Sequence, residues 1–256
     1  MNSSIIKKFA LETYGCQMNV ADSELVEGIL TNLGLEKTAD YDEADAIFLN
    51  TCAIRENAET KVHSKLGNLH KIKLNKPHLI IGVLGCMAQN LKDDLLKNKP
   101  YVDIILGPDS YRKIPDLINR HVKDNKSIVD TKLSRYEVYE NLFPNRGDTF
   151  NAWVSIMRGC DKFCSFCIVP FTRGRERSRS VDSIIEEVKK AVDQGFIEIT
   201  LLGQNVNSYN FEGKSFSDLL LAVSDINGVK RIRYTSPHPQ DTVSYTHLTL
   251  PTTSCV

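Results

Sequence analysis

The sequence predicts an α/β fold, in which an N-terminal parallel-sheet domain is followed by the first half of a (β/α) barrel. Three strand, loop and helix patterns come first, and each places a cysteine after its strand, at Cys16, Cys52 and Cys86. The strand and helix alternation pauses and then resumes from Trp153. Because parallel strands require crossover connections, this alternation favours parallel sheets in both parts of the chain.

The chain divides into an N-terminal domain at residues 1–120, a linker at 121–150 and a second domain at 151–243. Apolar periodicity and turn residues define the expected elements. The first helix is expected from Ser23 to Asn32, and a short strand is expected within the linker at residues 127–130. The second domain is predicted to contain strands at 152–157, 196–202 and 230–235 and helices at 180–195 and 216–226.

The composition is typical of a soluble globular enzyme. The chain has 256 residues, of which 41% are hydrophobic and 25% charged, and its formal net charge is zero. This balance removes the electrostatic argument for nonspecific polyanion binding by the whole chain, although it permits local basic patches. Neither a signal peptide nor an apolar membrane-spanning stretch is evident, so we expect a reducing cytoplasm and no membrane association.

Cys160, Cys164 and Cys167 form a Cys-x-x-x-Cys-x-x-Cys motif after a strand-like run. Three thiolates can hold three irons of a 4Fe-4S cluster and leave the fourth iron open to a small ligand, whereas structural zinc takes four ligands. No other Cys or His lies within twenty residues of the motif. The spacing therefore favours an iron-sulfur site, and the alternatives are a zinc loop completed from elsewhere or three unrelated buried cysteines.

The other strand-end cysteines, Cys16, Cys52 and Cys86, recur at intervals of 36 and 34 residues. Carboxyl ends of parallel strands lie on one edge of a sheet, so these three thiols are expected to gather there. Gly15 and Gly85 suit the tight turns that such positions need. We therefore predict a second three-thiol cluster site, with buried apolar cysteines and disulfides as the alternatives.

Four alternating arginines follow the Cys-x-x-x-Cys-x-x-Cys motif: Arg173, Arg175, Arg177 and Arg179. In an extended segment alternate side chains share one face, where guanidinium groups can bind phosphates in bidentate geometry. Nucleic acid is therefore one candidate partner of these residues. A solvated polar linker and salt bridges within the fold are the alternatives.

The loop after the second strand of the later domain offers small polar groups to a cofactor. Gly203 allows close backbone approach, and Gln204 and Asn205 can donate and accept hydrogen bonds. Loops at the carboxyl ends of barrel strands form active sites, but Asn-rich turns are also common after strands. His238, between two prolines, is assigned no catalytic role.

Five motifs occur in order along the chain: Thr13-Tyr-Gly-Cys-Gln-Met-Asn19, Asn50-Thr-Cys-Ala-Ile-Arg55, Gly85-Cys-Met-Ala-Gln89, Met157-Arg-Gly-Cys160 and Cys167-Ile-Val-Pro-Phe-Thr-Arg-Gly-Arg-Glu-Arg-Ser-Arg179. Together they resemble the methylthiotransferase family of radical S-adenosylmethionine enzymes, over residues 1 to about 241. Within that family the resemblance is greatest to the branch of tRNA 2-methylthio-N6-isopentenyladenosine synthases. It implies that the second domain is a radical-SAM partial (β/α) barrel.

The resemblance also implies S-adenosylmethionine and two 4Fe-4S clusters as cofactors. Phe166, directly before the last cysteine of its motif, matches the aromatic position of the family's cluster loop and is a cofactor-binding candidate with Gly203, Gln204 and Asn205. The implied cluster ligands are Cys16, Cys52 and Cys86 for an auxiliary cluster, and Cys160, Cys164 and Cys167 for the radical-generating cluster.

The implied reaction is methylthiolation of carbon 2 of N6-isopentenyladenosine at position 37, in the anticodon loop of tRNA. One S-adenosylmethionine methylates a sulfide, and a second is cleaved reductively to a radical that removes hydrogen from carbon 2. This reactivity belongs to the cofactors, so no catalytic side chain is assigned. The implied partners are tRNA, for which the four arginines are the RNA-binding candidates, and an electron donor such as flavodoxin or ferredoxin.

Three further expectations accompany this interpretation. The protein is expected to be a monomer. The alternative functions are methylthiolation of an aspartate in a ribosomal protein and a zinc-dependent nucleic-acid-binding module. Residues 244–256 contain no Asp, Glu, Lys or Arg where a further barrel helix should begin, so we interpret them as a non-native tail on a truncated chain and assign Cys255 no role.

Overall fold

The computed structural model describes residues 6–54, 56–147 and 150–241. The chain divides into two compact units, one from Met1–Asn145 with Phe163–Gly174 and one from Arg146–Lys162 with Arg175–Val256. Parallel sheets with connecting helices occur in both, which confirms the predicted α/β class. The tail predicted at residues 244–256, with Cys255, lies outside the described residues.

The first unit is built on a six-stranded sheet. Its strands are β1 (Lys8–Thr13), β2 (Glu36–Lys37), β3 (Ala46–Thr51), β4 (Ile80–Gly85), β5 (Ile104–Leu106) and β6 (Ile128–Asp130). All neighbouring pairs are parallel, in the order β2-β1-β3-β4-β5-β6. Thr13 pairs with Asn50 and Thr51 with Gly85, so β1, β3 and β4 end almost level and side by side.

Helices follow most of these strands: α1 (Gln17–Asn32), α2 (Glu56–Asn75), α3 (Cys86–Leu91), α4 (Asp93–Asn98) and α5 (Ile114–Asp124), with α6 (Val169–Arg173) added from later in the chain. Every residue of β3 and β4 is buried, as is typical of strands covered on both faces. Phe48 belongs to an apolar cluster with α1 and α5, whereas its neighbours Ile47 and Leu49 belong to one with α2. Helices therefore cover both faces of the sheet.

The first helix begins six residues earlier than predicted, at Gln17 rather than Ser23. Cys16 is its N-cap residue, and the side-chain oxygen of Asn19 accepts the Cys16 backbone N–H. Asn19, Asp22 and Ser23 are polar but buried. Apolar periodicity could not reveal this first part of the helix, because two of its buried positions, Asn19 and Asp22, are polar.

The predicted linker at residues 121–150 is partly structured within the first unit. Helix α5 continues to Asp124, and β6 adds a sixth strand beside β5. The Asn145 N–H donates to the Glu24 carbonyl at 2.9 Å, which attaches this segment to α1. The sequence indicated the strand near residue 128 but not its pairing, because its partner is more than twenty residues away.

The second unit has a three-stranded parallel sheet in the order β7-β10-β13, and two antiparallel pairs, β8–β9 and β11–β12. No helix within the described ranges is long and apolar enough to cross a membrane. The elements of this unit are β7 (Asn151–Ser155), β8 (Met157–Arg158), β9 (Arg177–Ser178), α7 (Val181–Asp193), β10 (Glu198–Leu202), β11 (Asn210–Phe211), β12 (Lys214–Ser215), α8 (Phe216–Ser224) and β13 (Arg231–Tyr234).

A buried ion triad joins α7 to the chain around β7. The carboxylate of Glu187, which is 2% exposed, binds both Arg146 and Arg179. Arg179 Nη1 donates to Glu187 Oε2 at 2.6 Å and to the Ser155 carbonyl at 2.8 Å, and Arg146 Nη2 donates to the Trp153 carbonyl at 3.1 Å. Buried charges are costly unless they are paired, and in this triad each charge has an oppositely charged partner.

Replacing Arg179 with Met should lower the free energy of unfolding by about 3 kcal/mol, because Glu187 would keep only one of its two buried cationic partners. Urea unfolding followed by circular dichroism measures this change. The matched control is Arg175→Met, which removes an exposed arginine paired with Asp161 and should change stability little. Equal unfolding midpoints for the two variants would contradict a stabilising role for the triad.

Candidate cofactor-binding sites

Three cysteines lie at the carboxyl edge of the sheet in the first unit. Cys16 follows β1 as the N-cap of α1, Cys52 directly follows β3, and Cys86 begins α3 after β4. All three are free thiols, and Cys52 and Cys86 are buried. The thiols thus share one edge of the sheet, as the strand pattern predicted, and their role as cluster ligands remains a prediction.

Two glycines allow the loops that carry these cysteines to approach one another closely. A Cβ atom added to Gly15 would lie 2.8 Å from the Cβ of Cys52, and one added to Gly85 would lie 2.5 Å from the Thr51 carbonyl oxygen. The φ angles are 145° at Gly15 and 92° at Gly85, a region that residues with side chains rarely adopt. Both the backbone conformation and the available space therefore require glycine.

Two buried asparagines connect the first and second of these loops. Asn19 Nδ2 donates to Asn50 Oδ1 at 3.3 Å and to the Thr51 carbonyl at 3.1 Å. In return, Asn50 Nδ2 donates to the Asn19 carbonyl and to the Ser23 hydroxyl, both at 2.9 Å. The Cys16 thiol donates to Asn19 Oδ1 at 3.3 Å. Because buried polar groups are costly unless they are hydrogen-bonded, this network holds the two loops together.

Arg173, the last residue of α6, binds the third cysteine. Its Nε donates to Cys86 Sγ at 3.2 Å, and its Nη2 donates to Asp22 Oδ2 at 2.9 Å. Burial raises the pKa of the Cys86 thiol, and the positive charge of Arg173 opposes this rise, while the negative charge of Asp22 adds to it.

This donor set fits a 4Fe-4S cluster. The three thiols lie on adjacent strand ends, and in a cubane cluster each cysteine binds a different iron, so the sulfur atoms need not converge on one point. Among the described residues, no group of three or more His, Cys, Asp or Glu side chains is arranged to hold a single metal ion.

The Cys-x-x-x-Cys-x-x-Cys motif follows β8, with Cys160 in the second unit and Cys164 and Cys167 in the first. Cys160 is buried, and Cys164 and Cys167 are half-buried. The Cys167 N–H donates to the Cys164 carbonyl at 2.9 Å, and Phe163 adopts a φ of 47°, which turns the chain sharply. Phe166 is 91% exposed, so its ring is open to a bound group. Cluster binding by the three thiols and cofactor binding by Phe166 remain predictions.

The polar loop after β10 has two kinds of side chain. Gln204 Oε1 is buried and has no hydrogen-bond partner among the described residues, so it offers an acceptor to a polar cofactor. Asn205 Nδ2 donates to Asp241 Oδ2 at 2.7 Å, and Asn205 Oδ1 accepts the His238 N–H at 3.2 Å. Both polar groups of the Asn205 amide are therefore hydrogen-bonded within the second unit. A Cβ atom at Gly203 would lie 2.5 Å from a methionine side chain. Cofactor contact remains a prediction for all three loop residues.

The four alternating arginines do not form one exposed face. Arg173, Arg177 and Arg179 are buried, whereas Arg175 is exposed and donates to Asp161 through Nε at 2.6 Å. The segment is not extended throughout, because Arg173 ends a helix and only β9 is a strand. Arg173 and Arg179 instead form the internal salt bridges that were the alternative interpretation. RNA binding remains a prediction and has its only exposed candidate in Arg175.

The polar residues that surround the sheet-edge cysteines were not predicted as site residues. Asn19, Asp22 and Ser23 follow Cys16 at the three-to-four-residue spacing of one helix face. Such a run of polar positions, directly after a cysteine and facing inward, was a signal for a buried polar site. A helix that begins only at Ser23 would not place Asn19 and Asp22 on its inward face.

Two family descriptions match the chain. Residues 8–107 match "Uncharacterized protein family UPF0004", and residues 154–246 match "Radical SAM superfamily". The first match includes all three sheet-edge cysteines, and the second includes the Cys-x-x-x-Cys-x-x-Cys motif.

The chain is similar to curated proteins named tRNA-2-methylthio-N(6)-dimethylallyladenosine synthase. It is 49% identical over 242 residues to the protein of Phocaeicola vulgatus, 48% over 242 residues to that of Bacteroides fragilis and 48% over 244 residues to that of Porphyromonas gingivalis. Each match covers 92% of this chain and 53%, 52% and 52% of the respective relative. The chain thus spans about half the length of the curated relatives it matches.

The fold is similar to that of a solved protein, the radical S-adenosylmethionine methyltransferase TsrM from Kitasatospora setae. The structure with tryptophan substrate and aza-SAM gives a TM-score of 0.57 at 12% identity, covering 91% of this chain and 60% of that one. The structure with cobalamin and a [4Fe-4S] cluster gives 0.54 at 13% identity, covering 91% and 61%. At this level of identity the similarity shows the fold alone.

Replacing Gly85 with Ala should reduce the iron bound after anaerobic reconstitution, because a Cβ atom would push the third cysteine loop away from the Thr51 carbonyl. The Gly85 backbone, with φ 92° and ψ −157°, lies in a region essentially confined to glycine, so the Ala variant should also lose about 1–3 kcal/mol of stability. Gly34→Ala is the matched control, since Gly34 has a similar φ of 82° with nothing within 4 Å. The control should lose stability but keep its iron, and equal iron loss in both variants would contradict this interpretation.

Proposed function

Because the chain belongs to the methylthiotransferase family of radical S-adenosylmethionine enzymes, we propose that it carries both cluster-binding regions of an enzyme that methylthiolates carbon 2 of N6-isopentenyladenosine at position 37 of tRNA. The similar proteins carry this chemistry in their name, in which the base is called N(6)-dimethylallyladenosine. One structural observation supports the proposal most directly: three free thiols follow three adjacent strand ends, in a chain that also matches the Radical SAM superfamily.

Each cysteine triad is assigned to one 4Fe-4S cluster. Cys16, Cys52 and Cys86 would hold the auxiliary cluster, and Cys160, Cys164 and Cys167 would hold the radical-generating cluster. Gln204 would accept a hydrogen bond from S-adenosylmethionine through its buried Oε1. When bound, the clusters and S-adenosylmethionine would supply the reductive cleavage and the methylthio group that ordinary side chains cannot provide.

The residues of this chain bind and orient these groups rather than act as acids or bases. The hydrogen bonds between Asn19 and Asn50 fix the loops of Cys16 and Cys52 in one arrangement. The burial of Cys52 and Cys86 limits access of water to the sulfur atoms. An aromatic C–H is not acidic and has no leaving group, so correct placement is the main contribution that the protein can make.

The substrate and partners follow from the same proposal. A base in an anticodon loop can be splayed out of its stack and is therefore accessible to an enzyme that acts on carbon 2. Arg175, exposed beside the Cys-x-x-x-Cys-x-x-Cys motif, would contact a tRNA phosphate. We further propose flavodoxin or ferredoxin as the electron donor, a monomeric protein and a cytoplasmic location.

The iron content tests the two-cluster assignment in the complete protein that contains this chain. Anaerobic reconstitution should give about eight irons per chain, falling to about four when Cys160, Cys164 and Cys167 are replaced by Ala. Replacing the other triad should also leave about four. A colourless protein with tightly held zinc would instead support the zinc-dependent nucleic-acid-binding alternative.

Mass spectrometry of modified nucleosides tests the substrate. Cells that lack the gene should lack the 2-methylthio modification, and the wild-type gene should restore it whereas a variant of either cysteine triad should not. Restoration by a gene without Cys16, Cys52 and Cys86 would contradict the assignment of the auxiliary cluster. A methylthiolated ribosomal-protein aspartate, with unchanged tRNA, would identify the other branch of the family.

Replacing Arg175 with Ala should weaken tRNA binding and reduce the slope of log affinity against log salt by about one, because one phosphate contact would be lost. Fluorescence anisotropy at several salt concentrations measures both quantities. Arg231→Ala is the matched control, since Arg231 is also exposed and ion-paired but lies at the amino end of β13. Unchanged affinity and slope for Arg175→Ala would remove Arg175 from the tRNA-binding surface.

A further inference from the structure

We propose that Arg173 is a positioning residue for the auxiliary cluster. Arg173 donates a hydrogen bond to the Cys86 sulfur, and its buried positive charge stabilises the reduced cluster. This inference rests on the proposed function, in which Cys86 is a cluster ligand. It assigns to Arg173 a role different from the RNA contact that the sequence suggested.

The geometry directs one edge of the guanidinium toward the sulfur. Arg173 Nε lies 3.2 Å from Cys86 Sγ, within hydrogen-bonding distance for a sulfur acceptor. The short helix α6 packs against α3, which begins with Cys86. Both the donor and the acceptor therefore lie on elements that pack together inside the first unit.

Asp22 sets the orientation of the guanidinium. Its Oδ2 accepts the Nη2 group of Arg173 at 2.9 Å, and both side chains are buried. A guanidinium is planar and has donors in a fixed fork, so an acceptor that holds Nη2 also determines where Nε points. A lysine in this place has a single ammonium group and lacks this rigid pair of donors.

The charge of Arg173 is permanent, because a guanidinium is not deprotonated in proteins. Reduction adds one negative charge to a cluster and its thiolates. A buried cation beside one thiolate favours that added charge, since the electrostatic interaction is weakly screened away from water. Hydrogen bonds to the sulfur atoms and local net charge are among the factors that set iron-sulfur reduction potentials.

A solely structural salt bridge is the competing explanation. In the second unit, Arg179 illustrates such a role, because its donors reach the carboxylate of Glu187, the Ser155 carbonyl and the Ser183 hydroxyl. Arg173 differs because Nε is directed at a cysteine sulfur on the sheet edge that carries the candidate cluster. The two explanations predict different effects on the reduction potential of the cluster.

The test uses the complete protein with Cys160, Cys164 and Cys167 replaced by Ala, so that the auxiliary cluster is the only one present. Its midpoint potential is measured by redox titration followed by electron paramagnetic resonance. In this background, Arg173→Met removes the charge and the donor, Arg173→Lys keeps the charge, and Asp22→Asn removes the opposing negative charge. Arg175→Met removes an exposed arginine two residues away and is the matched control.

Arg173→Met should lower the equilibrium constant for reduction of the cluster at least tenfold. For one electron this makes the midpoint potential more negative by at least 59 mV. Arg173→Lys should recover part of this loss. Asp22→Asn should shift the potential in the opposite direction, and Arg175→Met should leave it unchanged. Opposite shifts at Arg173 and Asp22 support the electrostatic role, because breaking a structural salt bridge from either side should have similar effects.

An unchanged potential in a fully loaded Arg173→Met protein would overturn the inference and leave the proposed function intact. Shifts of the same sign for Arg173→Met and Asp22→Asn would also overturn it, in favour of the structural explanation. If the Arg173→Met protein binds no iron, the midpoint potential of the Asp22→Asn protein is the test. A positive shift of that potential supports the inference, and an unchanged potential contradicts it. Absence of iron from the parent protein with the three Ala replacements would contradict the proposed function itself.

Discussion

The close approach of three loops at the carboxyl edge of the first sheet is the constraint on which the candidate cluster site depends. Parallel pairing of β1, β3 and β4 brings the strand ends together, but loops that meet there must also satisfy their buried polar groups. The mutual hydrogen bonds of Asn19 and Asn50 meet this need, and glycine at positions 15 and 85 leaves the space. Thiols can then lie near one another without any disulfide between them.

Buried charge has a different use in each unit. In the second unit, Glu187 binds two arginines that also hydrogen-bond to the chain around β7, so the triad connects a helix to a strand region. In the first unit, Asp22 and Arg173 form a pair whose arginine contacts a cysteine sulfur. Arg173 and Arg179 come from a single stretch of sequence. They serve different units because the chain passes from the first unit to the second between Gly174 and Arg175.

Much of the fold could be predicted because apolar periodicity is a local property. The apolar runs that precede Cys52 and Cys86, at residues 46–49 and 79–85, indicated buried parallel strands, and the later strands and helices lie within a few residues of their expected positions. The start of α1 was missed, since Asn19, Asp22 and Ser23 are polar residues at buried positions of its first turns and interrupt the apolar pattern. The arginine run allowed either one shared face or internal salt bridges, and sequence could not choose between them, because alternation gives a shared face only where the backbone is extended.

The sequence by itself determined the chemistry available to this protein, which is that of two groups of three cysteines. One group forms a single short motif, and each member of the other group follows a strand. Residue identity and spacing carry that information directly. Only the tertiary structure decided which arginine contacts a thiol, which ones are buried in salt bridges and which one faces solvent. Those outcomes depend on packing between residues that are distant in the chain, such as Asp22, Cys86 and Arg173. No local sequence pattern encodes such packing.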